Sequence, residues 1–201
     1  MHSMKKIAID VGHARGTGAR GYVDEHDTCA ALAEEVKSVL ESFNVDTFQA
    51  DIIDFPDKTN GGDLSATAKA INAGGYDACV SLHMDFASKV LGYEQVVDED
   101  GTTHCVAIYG ANPEPHGAHV CYYSTNGKRL ASEIAMRLCP YLPGRAEQTV
   151  KRTDLYILKK TKPVAVLVEC GFCSNKYDAA VVKKQAYVIA RAIALGIAAY
   201  F

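Results

Sequence analysis

The sequence predicts an α/β domain built on a mainly parallel β-sheet. Short apolar runs alternate with segments of helical periodicity along the chain, which is typical of β–α–β units. The length of 201 residues suits one domain with one hydrophobic core. The sequence contains no internal repeat, low-complexity tract or linker, so we expect residues 1–201 to form a single domain.

The first half of the chain alternates strands with helices. In chain order we predict a strand, a helix, a strand, a helix and a strand over residues 6–11, 28–43, 45–50, 64–73 and 78–82. Apolar residues recur at helical spacing in the first helix, and acidic residues crowd its start, as the helix dipole favours. The last of these strands is continuously apolar, which predicts a central position in the sheet.

The second half of the chain begins with a less regular segment. Val96-Val97 and residues 106–109 flank the turn sequence Asp98-Glu-Asp-Gly101, which predicts a β-hairpin. We interpret residues 92–117 as an insertion. After it we predict a strand, a helix, two strands and a closing helix over residues 118–124, 128–138, 155–158, 164–168 and 178–200.

The composition excludes several functional classes. An apolar share of 48% and a charged share of 22% are typical of globular proteins and exclude wholesale disorder. A formal net charge of -3 and a pI of about 6.1 leave no electrostatic footprint for nucleic acid. No stretch approaches the ~18 apolar residues of a membrane span. Residues 1–10 lack the apolar segment and cleavage site of a secretory signal.

The cysteines do not indicate a disulfide framework. Their number, seven, is odd, and the chain is long enough to fold without covalent crosslinks. We predict that five of them are small buried hydrophobic residues: Cys29, Cys79, Cys105, Cys121 and Cys139.

Polar residues follow three of the predicted strands. His13 comes after the first strand, His83 after the third, and Glu169 after residues 164–168. Ligands of open α/β sheets bind outside the carboxyl ends of the strands, so we expect these side chains to meet at one edge. A lone loop histidine is usually structural, but two imidazoles and a carboxylate at one edge indicate a zinc site, since catalytic Zn²⁺ uses three such ligands.

A further zinc ligand is expected near His13, and Glu25 is the best candidate. It lies in the loop or first helical turn after the first strand, within reach of the same edge. An acidic residue at a helix N-terminus is also common for structural reasons. Position alone does not separate these two interpretations.

Four segments together resemble a known enzyme family. They are Ile7-Ala-Ile-Asp-Val-Gly-His13, Glu25 ahead of a long amphipathic helix, Val80-Ser-Leu-His83-Met-Asp85, and Val166-Leu-Val-Glu169-Cys-Gly-Phe-Cys-Ser-Asn175. Their order and spacing resemble those of zinc-dependent N-acetylmuramoyl-L-alanine amidases of the type-3 group, which occur in cell-wall autolysins, sporulation lysins and phage endolysins. Residues 117–123 and 155–158 also resemble later strands of that family, so the likeness covers nearly the whole chain.

The resemblance implies a fold, a metal and a reaction. It implies a six-stranded mixed sheet with helices on both faces, zinc bound by His13, Glu25 and His83, and Glu169 as the catalytic carboxylate. The implied substrate is peptidoglycan, cut between N-acetylmuramic acid and L-alanine at the cell wall by a secreted or phage-released enzyme. Glu169 would carry a proton from water to the leaving amine, so its pKa should be raised by its apolar strand.

The chain also departs from the family pattern. Asp85 stands where the family usually has asparagine, and residues 49–51 and 64–72 lack the arginines that the family usually carries there. None of these positions is an implied metal ligand. The departures therefore concern the contacts with substrate.

Other interpretations of the same residues remain open at this point. Gly16-Thr-Gly18-Ala-Arg-Gly21 spells a dinucleotide fingerprint, but it begins too far after its strand, so a loop beside the metal fits better. Cys170-Gly-Phe-Cys173 could be a redox pair or half of a zinc site, although two ordinary thiols suit its context better. A different metallohydrolase, such as a phosphoesterase or peptidase, and a wall-binding module without turnover are the alternative functions. His119 is a spare imidazole that could touch substrate, although a structural role suits it better.

Overall fold

A six-stranded sheet forms the centre of the protein in the computed structural model, which describes residues 3–43, 47–58 and 62–201. The strands of the described residues are β1 (Lys5–Val11), β2 (Phe48–Ile53), β3 (Ala78–Asp85), β4 (Ser88–Val97), β5 (Thr103–Ala111), β6 (His119–Tyr122), β7 (Thr149–Lys151) and β8 (Val164–Phe172). The order in the large sheet is β2-β1-β3-β8-β6-β7, and β4 and β5 form a separate hairpin. In the large sheet, neighbouring strands are parallel except β6 and β8, so the predicted mixed, mostly parallel sheet is confirmed.

Helices cover both faces of this sheet, as predicted. The helices of the described residues are α1 (Glu25–Ser42), α2 (Gly62–Ala73), α3 (Thr125–Leu138), α4 (Tyr156–Lys160), α5 (Lys176–Lys184) and α6 (Ala186–Tyr200). Helices α1, α3 and α6 enclose the larger hydrophobic core, which contains Leu32, Ile134 and Ile193. A smaller cluster on the opposite face joins α2 and α4 to the sheet through Ile71 and Ile157. None of the helices in the described ranges is long and apolar enough to cross a membrane.

Two predictions about the second half of the chain are wrong. Residues 155–158 were expected to form a strand, but Tyr156–Lys160 is helical, and β7 takes the place beside β6. Ile157 and Leu158 are adjacent and both buried, which a half-buried strand does not allow because successive side chains point to opposite faces. The closing helix, predicted over residues 178–200, is broken at Gln185, where φ is -120° and ψ is 31°.

The remaining differences are mostly shifts of element boundaries. The second strand, predicted over residues 45–50, is Phe48–Ile53, and positions 45 and 46 lie outside the described residues. The first helix was predicted from residue 28 but begins at Glu25, because Asp24 caps it by accepting a hydrogen bond from the backbone N–H of Asp27. This earlier start makes Glu25 the first residue of α1.

The predicted hairpin is present as β4 and β5, which pair from Ser88–Ala111 to Val97–Thr103. Most of its side chains are exposed, including Leu91, Tyr93 and Tyr109. Cys105 lies on β5 and is exposed, so the prediction that it is buried is wrong. Its apolar neighbours in the sequence are themselves exposed because this ribbon is separate from the layers around the large sheet. The other four cysteines of that prediction are buried.

Candidate active site

His13 lies at the edge of the sheet, just beyond β1, and has a left-handed backbone conformation. His13 lies two residues after the end of β1, and its φ is 60°. No other non-glycine residue within the described part of the chain has a positive φ. Holding a residue other than glycine in this region costs roughly 1–3 kcal/mol. Such conformations cluster at functional sites, and here the imidazole is directed at the Glu25 carboxylate, with Nε2 3.7 Å from Oε2.

Glu25 is buried between the two histidines. Its Oε1 accepts a hydrogen bond from the backbone N–H of Met84 at 3.1 Å and lies 3.0 Å from Nδ1 of His83. Its Oε2 accepts a hydrogen bond from the backbone N–H of Ala19 at 2.7 Å. Burial raises the pKa of Glu25, but the contacts with His83 and Ala19 outweigh it and lower the pKa below its usual value. The side chain is therefore an anion.

His83 lies within β3, not beyond its end as predicted, because β3 continues to Asp85. Burial lowers the pKa of His83, but the carboxylates of Glu25 and Glu169 raise it overall to about 9. The ring packs directly on Gly12, where an added Cβ would come within 2.4 Å of Cε1. A cation at this position is stabilised by two acids, and a metal ion would take the place of the proton.

The three side chains lie close enough together for all of them to contact one metal ion. One ligand atom from each of His13, Glu25 and His83 lies within 4.8 Å of the other two. Ligands at about 2.0–2.1 Å from a tetrahedral zinc ion stand about 3.3 Å from one another. Glu25 approaches the two imidazoles through different oxygens, Oε1 at 3.0 Å from His83 and Oε2 at 3.7 Å from His13, and both distances are close to that value. Two nitrogens and one carboxylate also match the donors that catalytic zinc uses.

Glu169 faces this cluster from the adjacent strand. It also lies within a strand, since β8 runs on to Phe172, and its backbone is in register with His83. Its Oε2 is buried and has no hydrogen-bond partner among the described residues. Burial raises the pKa of Glu169 to about 7, although His83 opposes that shift. The raised pKa agrees with the prediction from its apolar strand.

The sequence reasoning missed a second charged group beside Glu169. Arg145 forms an ion pair with Asp85, donates from Nε to the carbonyl of Gly117 at 3.2 Å, and stacks over the ring of Phe172 at 4.1 Å. The ion pair joins residues 60 positions apart, and no local pattern in the sequence signals it. Asp85 raises the pKa of Glu169 and Arg145 lowers it, so the pair modulates the charge of that carboxyl group.

His119 lies next to Glu169 across the sheet. The two residues are register partners on the antiparallel strands β6 and β8. Burial and the nearby Arg145 lower the pKa of His119 to about 4, so its imidazole is neutral. The sequence interpretation of His119 as a spare imidazole near the working edge is therefore consistent with its position.

A recess of about 350 Å³ opens beside Glu169 on the face of the sheet that α2 and α4 cover. We call it the cleft recess; its lining includes Asp10, Ser81, His83, Leu64, Thr67, Tyr156 and Glu169. Asp10 and Ser81 belong to its buried part, and the Ser81 hydroxyl donates a hydrogen bond to Oδ2 of Asp10. Burial raises the pKa of Asp10 to about 6. From the sequence, Asp10 was singled out only as part of the motif that ends at His13, and Ser81 was assigned no role in the site.

The competing motifs are parts of the scaffold. The glycine-rich loop packs on the cluster, because a Cβ at Gly18 would lie 2.8 Å from Oε2 of Glu25 and 3.2 Å from Cβ of His13. Cys170 and Cys173 are both buried free thiols, and burial raises the pKa of each. They are therefore poor redox nucleophiles, because the thiolate is the reactive form.

Comparison with known sequences identifies the family. A sequence model of the family described as N-acetylmuramoyl-L-alanine amidase matches residues 7–199. The chain is 36% identical over 93 residues to the N-acetylmuramoyl-L-alanine amidase LytC of Bacillus subtilis, and 27% identical over 199 residues to the endolysin of Bacillus phage SPP1. The aligned parts are 43% and 96% of this chain, but only 18% and 65% of those two relatives.

Solved structures share the fold over almost the entire chain. The catalytic domain of the CD27L endolysin targeting Clostridia difficile aligns with a TM-score of 0.77 at 28% identity, covering 97% of both chains. The catalytic domain of CwlV, an amidase from Bacillus (Paenibacillus) polymyxa, aligns with a TM-score of 0.76 at 21% identity, covering 98% of both, and shows likeness in fold. The extent of the family match settles the assignment: this chain belongs to the N-acetylmuramoyl-L-alanine amidase family.

Proposed function

We propose that this chain hydrolyses the amide bond between N-acetylmuramic acid and L-alanine in bacterial peptidoglycan, and that it requires zinc to do so. The observation that carries the proposal is the buried, unpartnered Oε2 of Glu169 beside a three-ligand cluster. The match of residues 7–199 to an amidase family supports this reaction over phosphate or peptide hydrolysis by a different metallohydrolase. Glu169, as a carboxyl group poised for proton transfer, supports an enzyme over a wall-binding module without turnover.

His13, Glu25 and His83 would hold the metal ion. When bound, zinc supplies a Lewis acid that lowers the pKa of water toward ~7 and stabilises negative charge on a carbonyl oxygen. The backbone N–H groups of Met84 and Ala19 hold the Glu25 carboxylate in place, because each donates a hydrogen bond to one of its two oxygens. Such outer hydrogen bonds orient a ligand before the metal arrives.

Glu169 would carry the proton of the reaction. In its ionised form it takes a proton from the water that attacks the lactyl carbonyl carbon of N-acetylmuramic acid. In its protonated form it delivers that proton to the nitrogen of L-alanine as the amide bond breaks. A pKa of about 7 makes both forms accessible at neutral pH, which is the condition for one residue to act as base and then as acid.

The cell wall would be the place of action. One relative with which the chain aligns over nearly its full length is an endolysin of a Bacillus phage, and LytC is an amidase by name. We infer that this chain reaches peptidoglycan as a secreted or phage-released enzyme.

Mass analysis of digested peptidoglycan tests the proposed bond. The zinc-loaded wild type should release intact stem peptides with a free N-terminal alanine and leave lactyl-bearing glycans. Glu169→Gln should lose activity by about 10²–10⁴-fold, the usual contribution of general acid–base catalysis. Glu94→Gln, which changes an exposed acid on the hairpin, is the matched control and should digest like the wild type.

The same assay separates the alternatives. Equal digestion by wild type and Glu169→Gln would reject the role of Glu169, and release of reducing sugar ends or internal peptide fragments would reject the amidase reaction. Binding to cell walls without any release would favour the non-catalytic module. Loss of activity on chelation, restored by zinc, is the result expected for the metal.

A further inference from the structure

The floor of the cleft recess is on the same face of the sheet as the proposed reaction centre. Asp10 is in register with Ser81, and Ser81 with Leu167, while His83 is in register with Glu169. Side chains two residues apart on a strand share a face and are about 7 Å apart. Ser81 therefore lies about 7 Å from His83 along β3, and Asp10 lies about 8 Å from His83 on the neighbouring strand. Glu169 is one strand further away, about 12 Å from Asp10, and lines the same recess.

Asp10 belongs to β1 and lines the recess. Its relative exposure is 5%, and Ser81, its partner, is fully buried. The Ser81 hydroxyl donates to Oδ2, and no donor among the described residues reaches Oδ1. Oδ1 is therefore free to accept a hydrogen bond from a molecule that fills the recess. A buried carboxylate oxygen gains most from such a donor, because leaving it unpaired costs desolvation energy.

The recess is acidic overall. Asp10, Asp63, Asp154 and Glu169 line it, and the described lining includes neither lysine nor arginine. Asp154 is neutralised by Arg152, whose guanidinium donates two hydrogen bonds to it. A bound divalent cation would be balanced by two of the carboxylates near it. The charges of Asp10 and Asp63 would then remain uncompensated at the far side of the recess.

We propose that Asp10, held by Ser81, is a specificity-determining residue that accepts a hydrogen bond from a carboxamide or ammonium group of the stem peptide and disfavours a carboxylate there. The inference rests on the proposed amidase function and names the class of substrate that this site takes. The peptide suits the recess better than the glycan does. A glycan strand continues on both sides of each muramic acid, whereas the stem peptide is a single branch that can enter a recess.

The distance points to the residue that follows L-alanine. An extended peptide advances about 3.3 Å per residue, so a side chain about 8 Å from the proposed metal ligand His83 lies within reach of the second stem residue. That residue is a glutamic acid whose α-carboxyl group is either free or converted to a carboxamide. A carboxylate in the place of the carboxamide would put two like charges about 4 Å apart, and these repel strongly at the effective dielectric of a protein surface. We expect the amidated peptide to be preferred.

Two synthetic substrates test this preference. They are N-acetylmuramoyl tripeptides that differ only in the α-substituent of the second residue, a carboxylate in one and a carboxamide in the other. The zinc-loaded wild type should cleave the carboxamide with about tenfold higher kcat/KM. Most of the difference should lie in KM, because the contact is remote from the scissile bond and binds substrate and transition state alike.

Two variants and one control connect the preference with the recess. Asp10→Asn should lower the preference for the carboxamide substrate to about twofold. Asp63→Asn should also lower this preference, and it serves as the test if Asp10→Asn does not fold. Asp100→Asn removes the same charge from the exposed hairpin tip and should keep the tenfold preference. Equal cleavage of both substrates by the wild type, or a preference unchanged in both recess variants, would overturn the inference and leave the amidase intact. Cleavage of neither substrate would count against the proposed function itself.

Discussion

Replacement of Gly12 by alanine should disable the metal cluster without removing any of its ligands. A Cβ on Gly12 would lie 2.4, 2.5 and 2.6 Å from Cε1, Nδ1 and Nε2 of the His83 ring. Ordinary van der Waals contact begins at 3.4 Å, so the ring must retreat by about 1 Å. The ring cannot do so freely, because Nδ1 lies 3.0 Å from Oε1 of Glu25 inside the protein. A misplacement of about 1 Å costs roughly 10²-fold in catalysis, and comparable disturbances lower metal affinity about 10–100-fold.

Zinc affinity of Gly12→Ala is measured by competition with a chromophoric chelator, and activity by loss of turbidity of cell-wall suspensions. Circular dichroism and the melting temperature of the metal-free protein establish that the variant is folded. Gly92→Ala is the matched control, since an added Cβ there meets nothing within 4 Å, and it should behave as the wild type does. A folded Gly12→Ala protein with wild-type zinc affinity and lytic rate would refute the packing argument.

Three further predictions concern stability and reactivity. Because the folded-state pKa of Asp10 is raised from 3.8 to about 6, its stabilising contribution is fully present below about pH 4 and is lost as the pH rises through 6. Metal-free Asp10→Asn should therefore gain unfolding free energy relative to wild type as the pH rises, by about 2 kcal/mol between pH 4 and pH 8 in urea titrations. A difference that stays constant with pH would contradict this. Asp178 accepts hydrogen bonds from the backbone N–H groups of Gly117 at 2.7 Å and Phe172 at 3.0 Å. Asp178→Ala should therefore lower the unfolding free energy by about 2–4 kcal/mol in urea titrations, and a loss below about 1 kcal/mol would contradict this. Of the seven thiols only Cys105 is exposed, so a thiol reagent should label one cysteine rapidly in the native protein and none in Cys105→Ser.

The positions of the proposed ligands could be predicted because strand order determines them. Parallel strands end at the same edge, so His13 and His83 were expected to meet although 70 residues separate them. The raised pKa of Glu169 followed from the apolar residues around it in β8. For Glu25, however, position alone left a helix-terminal acid as an equal alternative. Its contacts with both imidazoles depend on the folded path of the loop that precedes α1.

Features that depend on packing between distant segments were not predictable. Arg145 contacts Asp85 from a loop 60 residues away in the sequence. Asp10 and Ser81 form a polar pair within strands whose other residues are mostly apolar, and nothing local in the sequence indicates this pair. The short apolar run from Leu155 to Leu158 has no periodicity that distinguishes a strand from a single helical turn, so α4 was misassigned. Cys105 was misjudged because local hydrophobicity does not reveal that a hairpin lacks a covering layer.

The claim on which the rest depends is that His13, Glu25 and His83 together bind one metal ion. Anomalous diffraction at the zinc absorption edge, from crystals grown with one equivalent of zinc, tests it directly. We predict one strong peak about 2.0–2.2 Å from a ring nitrogen of each histidine and an oxygen of the carboxylate. Crystals with no peak among these three side chains, or with zinc bound only elsewhere, would contradict the account.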